Sequence, residues 1–292
     1  MREIRIGEVA LASLVERDGP WRKPEQYFPT SDPVIAHRHL AEMEPFLYDP
    51  ASGRLVITYQ TFVVRTPRRT ILVDTCTGED KGYGAPLDFP KAPWLDGFRA
   101  FGLSFADVDY VFCTHLHIDH TGWNTSLRDG RWQPTFPNAK YVFHKLEYEY
   151  WENAARRGES PGGNFGAVWA MNCAPVVEAG QALLVDESFA LDDTVFLSLT
   201  PGHSPYHCCV HIRSQGEEAI VLGDLMHHPL QCREPDWSTA FCSDPQLAAR
   251  TRRRFLEAHA GVATLMMPVH FPAPTAGRIE ADGERFRYRF VR

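Results

Sequence analysis

The segment Cys113-Thr-His-Leu-His-Ile-Asp-His-Thr-Gly122 decides the fold assignment, because it concentrates four potential metal ligands within six residues. The side chains of His115 and His117 point to the same side of an extended chain. Asp119 and His120 follow where the chain must turn. The apolar run in front of them predicts a short buried strand. The ligands are therefore expected at the carboxyl end of a strand, where α/β proteins usually build their sites.

Three further candidate ligands occur downstream, each just after an apolar, strand-like run. They are His203 in Leu199-Thr-Pro-Gly-His-Ser-Pro205, Asp224 in Ile220-Val-Leu-Gly-Asp224 and His270 in Leu265-Met-Met-Pro-Val-His270. Five histidines and two carboxylates suit Zn²⁺ or a similar divalent ion, and no thiolate is needed. Seven ligands are too many for one ion, so they predict two metal ions with a shared carboxylate.

The composition is that of an ordinary globular chain of 292 residues, 44 % hydrophobic and 23 % charged, with a net charge of −7. It excludes disorder, collagen and coiled coils. An acidic chain is a poor default binder of nucleic acid or anionic membranes, and the basic run 250–254 is interpreted as a solvated helix face. The sequence lacks 18 consecutive apolar residues, which predicts no transmembrane helix. We expect a small-molecule substrate, with no nucleic acid and no membrane as partners.

The cysteines indicate where the protein works. There are seven of them, at irregular spacing and without a Cys-x-x-Cys pair. An odd number in such an arrangement favours a reduced, intracellular chain. The acidic residues near the start of the sequence argue against a signal peptide. The expected location is therefore cytoplasmic.

Strand-like runs occur in two clusters, each followed by a helical segment, and are interpreted as one domain, 1–292. The order predicts an α/β layer structure in which two sheets pack between helices. The first strand is expected at 3–10 and the last at 263–267. The Pro-rich segment 13–50 predicts an arm or lid, and because such arms often cross to a partner it favours a homodimer. Residues 121–180 are expected to form an insertion on the active-site side.

The order and spacing of these ligands resemble the metallo-β-lactamase superfamily. The matching pattern is His115-x-His117-x-Asp119-His120, followed by His203, Asp224 and His270. The resemblance covers the whole chain and implies an αββα sandwich of two mixed sheets flanked by helices, with a dinuclear site at one edge. It also implies the ligand sets: His115, His117 and His203 for the first metal, Asp119, His120 and His270 for the second, and Asp224 as the bridge.

Within the superfamily, local stretches resemble the lactonase and methyl parathion hydrolase branch. They are Thr200-Pro-Gly-His-Ser-Pro-Tyr-His207, Gly223-Asp-Leu-Met-His-His-Pro229 and Pro268-Val-His-Phe-Pro-Ala-Pro274. His117 stands where flavin-linked di-iron oxidoreductases carry Glu, which implies hydrolysis rather than redox chemistry. His227 stands where acyl-homoserine lactonases often carry Tyr. This departure weakens the case for acyl-homoserine lactone specificity and leaves the expected hydrolysis intact.

The resemblance implies opening of lactones, acyl-homoserine lactones among them, or of related carboxylic esters. A hydroxide bridging two Zn²⁺ ions would be the nucleophile, and Mn, Co or Fe would also fit the ligands. The same site offers organophosphate triesters or phosphodiesters as alternative substrates. Outside catalysis, the alternative is a metal-holding protein without turnover, and the complete ligand set argues against it.

Further roles are assigned to residues near the ligands. Asp119 would carry a proton to the leaving alkoxide. His227 would hydrogen-bond the developing oxyanion, with a surface or supporting histidine as the alternative. His207 would orient a metal ligand or be a buried strand residue. Trp123 and Phe271 would wall the substrate pocket or belong to the core.

Overall fold

The strand Tyr59–Arg65 shows how the layers arise, because its alternate side chains enter different cores. Phe62 and Val64 face the space between two sheets, whereas Val63 faces a layer of helices. The residues from Tyr59 to Val64 are all buried, as expected for a strand that is covered on both faces. The computed structural model describes residues 3–159 and 168–291 of the chain.

Within the described residues the strands are β1 (Ile4–Ile6), β2 (Val9–Arg17), β3 (Tyr48–Asp49), β4 (Arg54–Leu55), β5 (Tyr59–Arg65), β6 (Thr70–Val73), β7 (Tyr110–Phe112), β8 (Thr125–Arg128), β9 (Arg131–Pro134), β10 (Lys140–His144), β11 (Ala182–Val185), β12 (Val195–Leu199), β13 (Cys208–Ser214), β14 (Glu217–Val221), β15 (Leu265–Met267), β16 (Gly277–Asp282) and β17 (Arg285–Phe290). The helices are α1 (Pro24–Tyr27), α2 (Pro33–Ala41), α3 (Ala92–Ala100), α4 (Ile118–Thr121), α5 (Lys145–Arg156), α6 (Ala174–Glu178), α7 (Leu230–Arg233) and α8 (Pro245–His259). Short 3-10 turns lie at Pro45–Leu47, Phe105–Asp107, Gly122–Asn124 and Gly223–Leu225, and a π-helical turn lies at Trp169–Cys173.

Two large mixed sheets form the centre of the fold. The first has the order β1-β2-β5-β6-β7-β10-β11, and its four neighbouring strands β6, β7, β10 and β11 run parallel. The second has the order β12-β13-β14-β15-β16-β17, with β14 and β15 as its parallel pair. Apolar side chains of both sheets share one buried cluster between them. Helices α3 and α5 cover the outer face of the first sheet and α8 that of the second. The αββα sandwich implied by the sequence is confirmed.

The first strands differ from the expected single strand at 3–10. Gly7 has a φ of 54° and turns the chain between β1 and β2, which pair as a hairpin. Strand β2 then continues to its pairing with β5, so residues 13–17 belong to the sheet rather than to the predicted arm or lid at 13–50. The buried carboxylate of Glu16 is compatible with this strand because it accepts hydrogen bonds from the loop after β6.

The expectation of an insertion at 121–180 is wrong for its central part. Strand β10 pairs in parallel with β7 on one side and with β11 on the other, so it is an interior strand of the first sheet. The hairpin of β8 and β9 and the helices α5 and α6 do lie outside that sheet. Residues 160–167 of this segment lie outside the described residues.

The last strand predicted, at 263–267, is β15, and it is followed by a hairpin that was not predicted. Strands β16 and β17 pair around Asp282-Gly283 with alternating buried residues, which is a recognisable hairpin signal. The basic run 250–254 is not wholly solvated either. Arg252 is buried and donates hydrogen bonds to the carbonyl oxygens of Leu225, Pro235 and Trp237. Among the helices of the described residues, none has the length and apolar character needed to cross a bilayer.

Candidate metal centre

The predicted ligands converge at one edge of the sandwich, in loops that follow strands of both sheets. The loop and short helix after β7 in the first sheet carry His115, His117, Asp119 and His120. Loops after β12, β14 and β15 in the second sheet carry His203, Asp224 and His270, respectively. Asp119 is partly exposed, and the other six ligands are buried. The site therefore depends on both sheets being packed together.

Asp224 lies at the centre, and its two carboxylate oxygens face different histidines. Oδ2 lies 2.9 Å from Nε2 of His203 and 3.7 Å from Nε2 of His115. Oδ1 lies 3.1 Å from Nε2 of His120 and 2.9 Å from Nε2 of His270. The carboxylate thus divides the ligands as a bridge between two metal ions would.

Two more ligands complete the two sets. Nδ1 of His117 lies 2.9 Å from Nε2 of His203. Asp119 places Oδ1 3.6 Å from Nε2 of His120 and Oδ2 3.6 Å from Nε2 of His270. Within each set, the potential ligand atoms all lie within 4.8 Å of one another. These are the two sets that the family resemblance implied.

Several nitrogen and oxygen atoms of this cluster are better placed to coordinate metal ions than to hydrogen-bond with one another. Nε2 of His115, Nε2 of His120 and Oδ1 of Asp224 are buried, and in spite of the short distances to Oδ1 none of these atoms makes a well-directed hydrogen bond within the described residues. Buried polar atoms without partners cost free energy, and a divalent ion in each set would satisfy them. The arrangement therefore supports a dinuclear metal site.

Burial and local charge shift the pKa values of these groups. Burial, reinforced by neighbouring histidines, holds the pKa of His115 and of His117 well below the usual value, so both imidazoles are neutral. Burial alone would raise the pKa of Asp224, but the surrounding histidines hold it well below its usual range. For His120, burial opposes the charged form, but Asp224 and Asp74 raise its pKa well above normal. Metal binding at His120 must therefore displace a proton.

Asp74 orients His120 from behind. Its Oδ2 lies 2.8 Å from Nδ1 of His120, and its Oδ1 accepts a hydrogen bond of 2.8 Å from the backbone N of Thr114. With Nδ1 held in this way, Nε2 of His120 points to the metal set. Asp74 was not predicted from the sequence. Its signal was a lone Asp directly after the apolar strand β6, the same setting as Asp224 after β14.

Two other ligand histidines also have their Nδ1 atoms held. Nδ1 of His270 donates to the carbonyl oxygen of Thr58 at 2.9 Å, and Gln60 donates to three carbonyl oxygens of the loop that carries His270. Nδ1 of His203 faces Sγ of Cys242 at 3.6 Å. In both cases Nε2 is left to face Asp224. The sequence analysis did not identify these supporting residues, because they are distant from the ligands along the chain.

His207, predicted to orient a ligand, acts on the backbone beside Asp224. Its Nε2 accepts a hydrogen bond of 2.9 Å from the backbone N of Asp224, and its Nδ1 lies 2.8 Å from Oγ1 of Thr200. Burial and the nearby His203 lower the pKa of His207 to about 3, so Nε2 is an unprotonated acceptor. Gly223 is required here, because a Cβ on it would lie 2.4 Å from Nε2 of His207.

His227 lies between the metal sets and a pocket. Its Nε2 is 3.1 Å from Oδ2 of Asp224, and its ring stacks on His270 with centroids 5.3 Å apart. It is buried and lines the pocket, so the alternative of a surface residue is wrong. The predicted hydrogen bond to an oxyanion stays a prediction. The adjacent His228 points away and donates from Nε2 to the carbonyl oxygen of Leu47.

A cavity of about 390 Å³ opens onto the metal ligands, a size that suits a small molecule. Asp119, Asp224, His203 and His270 are among the ligands that line it. Its aromatic walls are Trp21, Tyr27, Tyr59, Tyr83 and Phe241. Trp21 and Tyr27 belong to the Pro-rich segment, which therefore supplies part of the pocket wall.

Trp123 and Phe271 do not line this pocket, which corrects the sequence prediction. Trp123 stacks on Trp94 with ring centroids 4.6 Å apart and donates from Nε1 to Glu16. Phe271 is fully buried and packs edge-to-face on Tyr288. Both residues are close to ligands in sequence, but the chain turns their side chains into the cores on the outer faces of the sheets.

Comparisons with known proteins agree with this geometry. The family model of the Metallo-beta-lactamase superfamily matches residues 56–270. The N-acyl homoserine lactonase AttM of Agrobacterium fabrum is 30 % identical over 138 residues, 44 % of this chain and 44 % of AttM. The matched region thus spans less than half the length of that curated relative.

Two solved structures share the fold over nearly the whole chain. AidC, a dizinc quorum-quenching lactonase, is 22 % identical with a TM-score of 0.83, covering 100 % of this chain and 98 % of AidC. The hydrolase AbOPH is 21 % identical with a TM-score of 0.84, covering 99 % of this chain and 97 % of AbOPH. With the matched family model and the ligand geometry, these findings establish that the chain belongs to the metallo-beta-lactamase superfamily.

Proposed function

We propose that this protein is a metal-dependent hydrolase that opens lactones or related carboxylic esters at a dinuclear zinc site. The position of Asp224 carries the proposal, since its two oxygens face two ligand sets at the floor of an aromatic pocket. Two ions held there supply a water-derived nucleophile at neutral pH and a Lewis acid for the carbonyl oxygen. The nitrogen and oxygen donors favour zinc.

The relatives support this substrate class. AttM is named an N-acyl homoserine lactonase, and AidC is described as a dizinc quorum-quenching lactonase. Acyl-homoserine lactones are therefore among the proposed substrates. The aromatic walls formed by Trp21, Tyr59 and Phe241 suit the apolar part of such a molecule.

Asp119 is proposed to move the proton that the leaving group needs. Its side chain is 16 % exposed, against 4 % for Asp224, so it is the more accessible carboxylate of the cluster. One of its oxygens faces His120 and the other faces His270. A carboxylate in this position takes a proton and passes it to the departing alkoxide.

His227 is proposed to hydrogen-bond the carbonyl oxygen as negative charge develops on it. It lines the pocket beside Asp224, and its side chain is itself buried. A hydrogen bond in such a buried site stabilises the transition state more than it does in water. Replacement by Gln would keep a donor, whereas replacement by Ala would remove it.

The test is hydrolysis by the Zn²⁺-loaded protein of γ- and δ-lactones, acyl-homoserine lactones, aryl esters, phosphotriesters and phosphodiesters. Asp119→Asn should lower kcat for lactones, while the exposed Asp236→Asn serves as a control. Lactone turnover above a kcat/KM of about 10⁴ M⁻¹s⁻¹ would support the proposal. Fast triester or diester turnover with weak lactone turnover would move the assignment to phosphorus chemistry.

Two expectations from the sequence remain predictions. The homodimer inferred from segment 13–50 is testable by analytical ultracentrifugation. The cytoplasmic location is testable by fractionation of the source cells.

A further inference from the structure

Arg22 is a charged side chain in the wall of the pocket. Within the part of the chain that the structure describes, it forms no ion pair, and its buried Nε makes no hydrogen bond. The nearby Arg17 differs, because it donates to the carbonyl oxygens of Gly19, Pro20 and Ile57. The buried Nε is a hydrogen-bond donor without an acceptor, which costs free energy unless a partner is supplied from the pocket.

Aromatic rings hold the Arg22 guanidinium in place without neutralising it. The guanidinium carbon lies 5.8 Å from the ring centroid of Trp21 and 5.3 Å from that of Phe241. Cation–π attraction of this kind positions a cation and leaves its N–H donors available. Because the same two rings line the pocket, the positive charge belongs to the surface that a substrate meets.

Two phenols lie in the same pocket with unused hydroxyl groups. Tyr27 and Tyr59 are 3 % and 5 % exposed, and neither hydroxyl makes a hydrogen bond to another described residue. Burial raises the pKa of both phenols well above the usual value, so both stay protonated and able to donate. Together with Arg22 they place three hydrogen-bond donors in the wall of the pocket.

We propose that Arg22, Tyr27 and Tyr59 form a subsite for a carboxylate, so that the preferred substrate is a lactone or ester whose acyl part carries this anion. The inference rests on the proposed function and adds a substrate class to it. A carboxylate matches the fork of guanidinium donors and compensates the charge. A neutral carbonyl group would accept a hydrogen bond and leave the charge uncompensated.

The first experiment compares pairs of aryl esters on the zinc-loaded protein. Each pair consists of a half-ester of a dicarboxylic acid, from succinate to suberate, and the neutral ester of the monocarboxylic acid of equal length. The expected result is a preference of at least tenfold in kcat/KM for a half-ester at one chain length, the effect of about one charge-assisted hydrogen bond. Arg22→Gln should remove this preference by lowering kcat/KM for the half-ester at least tenfold more than for the neutral ester, and Arg22→Lys should retain part of the preference.

Arg38→Gln is the matched control, because Arg38 is an exposed arginine of α2, in the same Pro-rich segment but outside the pocket. Neutral-ester turnover without any half-ester preference overturns the carboxylate subsite and leaves the proposed function intact. Equal loss on both members of a pair in Arg22→Gln also overturns it, because that result indicates a structural role.

Binding provides a readout that does not depend on turnover. Calorimetry with the zinc-loaded protein should give tighter binding for a dicarboxylate than for the monocarboxylate of equal length, and Arg22→Gln should abolish the difference. A difference that persists in Arg22→Gln, or none in the unmodified protein, refutes the subsite. If no ester or lactone is hydrolysed, the proposed function fails, and calorimetry still decides whether Arg22 binds a carboxylate.

Discussion

Replacing Asp74 with Asn is expected to weaken metal binding at the set Asp119, His120 and His270 more than at the other set, which Asp74 reaches only indirectly, through Oγ1 of Thr114 and Nδ1 of His115. Asp74 acts through His120, whose Nδ1 lies 2.8 Å from its Oδ2. Residue 74 has a φ of 56°, a left-handed conformation that Asn tolerates better than Ala. Asn therefore tests the loss of the charge and of one acceptor without adding backbone strain.

The magnitude follows from the contacts that change. In the unmodified protein Oδ1 of Asp74 accepts a hydrogen bond of 2.8 Å from the backbone N of Thr114, and the Asn oxygen can keep this bond. The Asn NH₂ group, however, lies against Nδ1 of His120 in place of Oδ2. A hydrogen bond to a charged group contributes about 1.5–3 kcal/mol. Losing the partner of a metal-bound histidine typically costs about 10- to 100-fold in affinity, which is about 1.4–2.8 kcal/mol. The two estimates agree, so the dissociation constant of this set should rise about 10- to 100-fold.

The assay is competition between the metal-free protein and a chromophoric chelator for Zn²⁺, with the bound metal counted by mass spectrometry. Asp80→Asn is the matched control, since Asp80 is exposed and has a φ of 59°. Asp74→Asn should bind the ion of this set about 10- to 100-fold more weakly and the other ion with a smaller loss of affinity. Equal weakening of both ions, or of neither, would refute the reasoning that Asp74 acts on one set through His120.

Three further predictions concern stability, pH and metal. Trp123→Phe should lower the free energy of unfolding by about 1–3 kcal/mol, because the 2.8 Å hydrogen bond to buried Glu16 is lost. A changed KM with unchanged urea unfolding would indicate instead that Trp123 contacts the substrate. Burial lowers the pKa of His228 from 6.5 to about 4, so the folded state resists a proton that the unfolded state accepts. The free energy of unfolding should therefore fall by about 3 kcal/mol as the pH drops from above 6.5 toward 4. In urea titrations His228→Gln should show a smaller loss over the same pH range. Equal pH dependence of the free energy of unfolding in the variant and the unmodified protein would contradict this. Chelation should abolish lactone turnover and Zn²⁺ should restore it, whereas full activity of the metal-free protein would exclude the dinuclear site as the catalytic centre.

The candidate ligands could be recognised from the sequence because their types and spacing carry the chemistry. His115, His117, Asp119 and His120 are close together along the chain, and the structure keeps them together. Asp74 has the same position after a strand as Asp224, but a single Asp in such a place is common and carries no signal by itself. Its role emerges only when β6 and β7 pair and bring it behind His120.

The pocket could not be predicted in the same way. Its walls combine Trp21 and Tyr27 with Tyr59 and Phe241, which are far apart in sequence and meet only through tertiary packing. Proximity to a ligand along the chain was a poor guide, because the 3-10 turn after α4 directs Trp123 into the outer core. The layer order was implied by family resemblance, while the paths of β2 and of the final hairpin depended on local turns at Gly7 and Gly283.

Each metal set takes ligands from both halves of the sandwich: His203 joins the first set and His270 the second. A bound ion is then a cross-link between two sheets, in addition to their shared apolar cluster and to hydrogen bonds such as those of Gln60. An ion present at 100 times its dissociation constant stabilises the folded chain by about 2.7 kcal/mol. When the metal is scarce that contribution disappears, and the larger unfolded fraction is exposed to proteases. The cellular lifetime of this protein should therefore follow the supply of its metal ion.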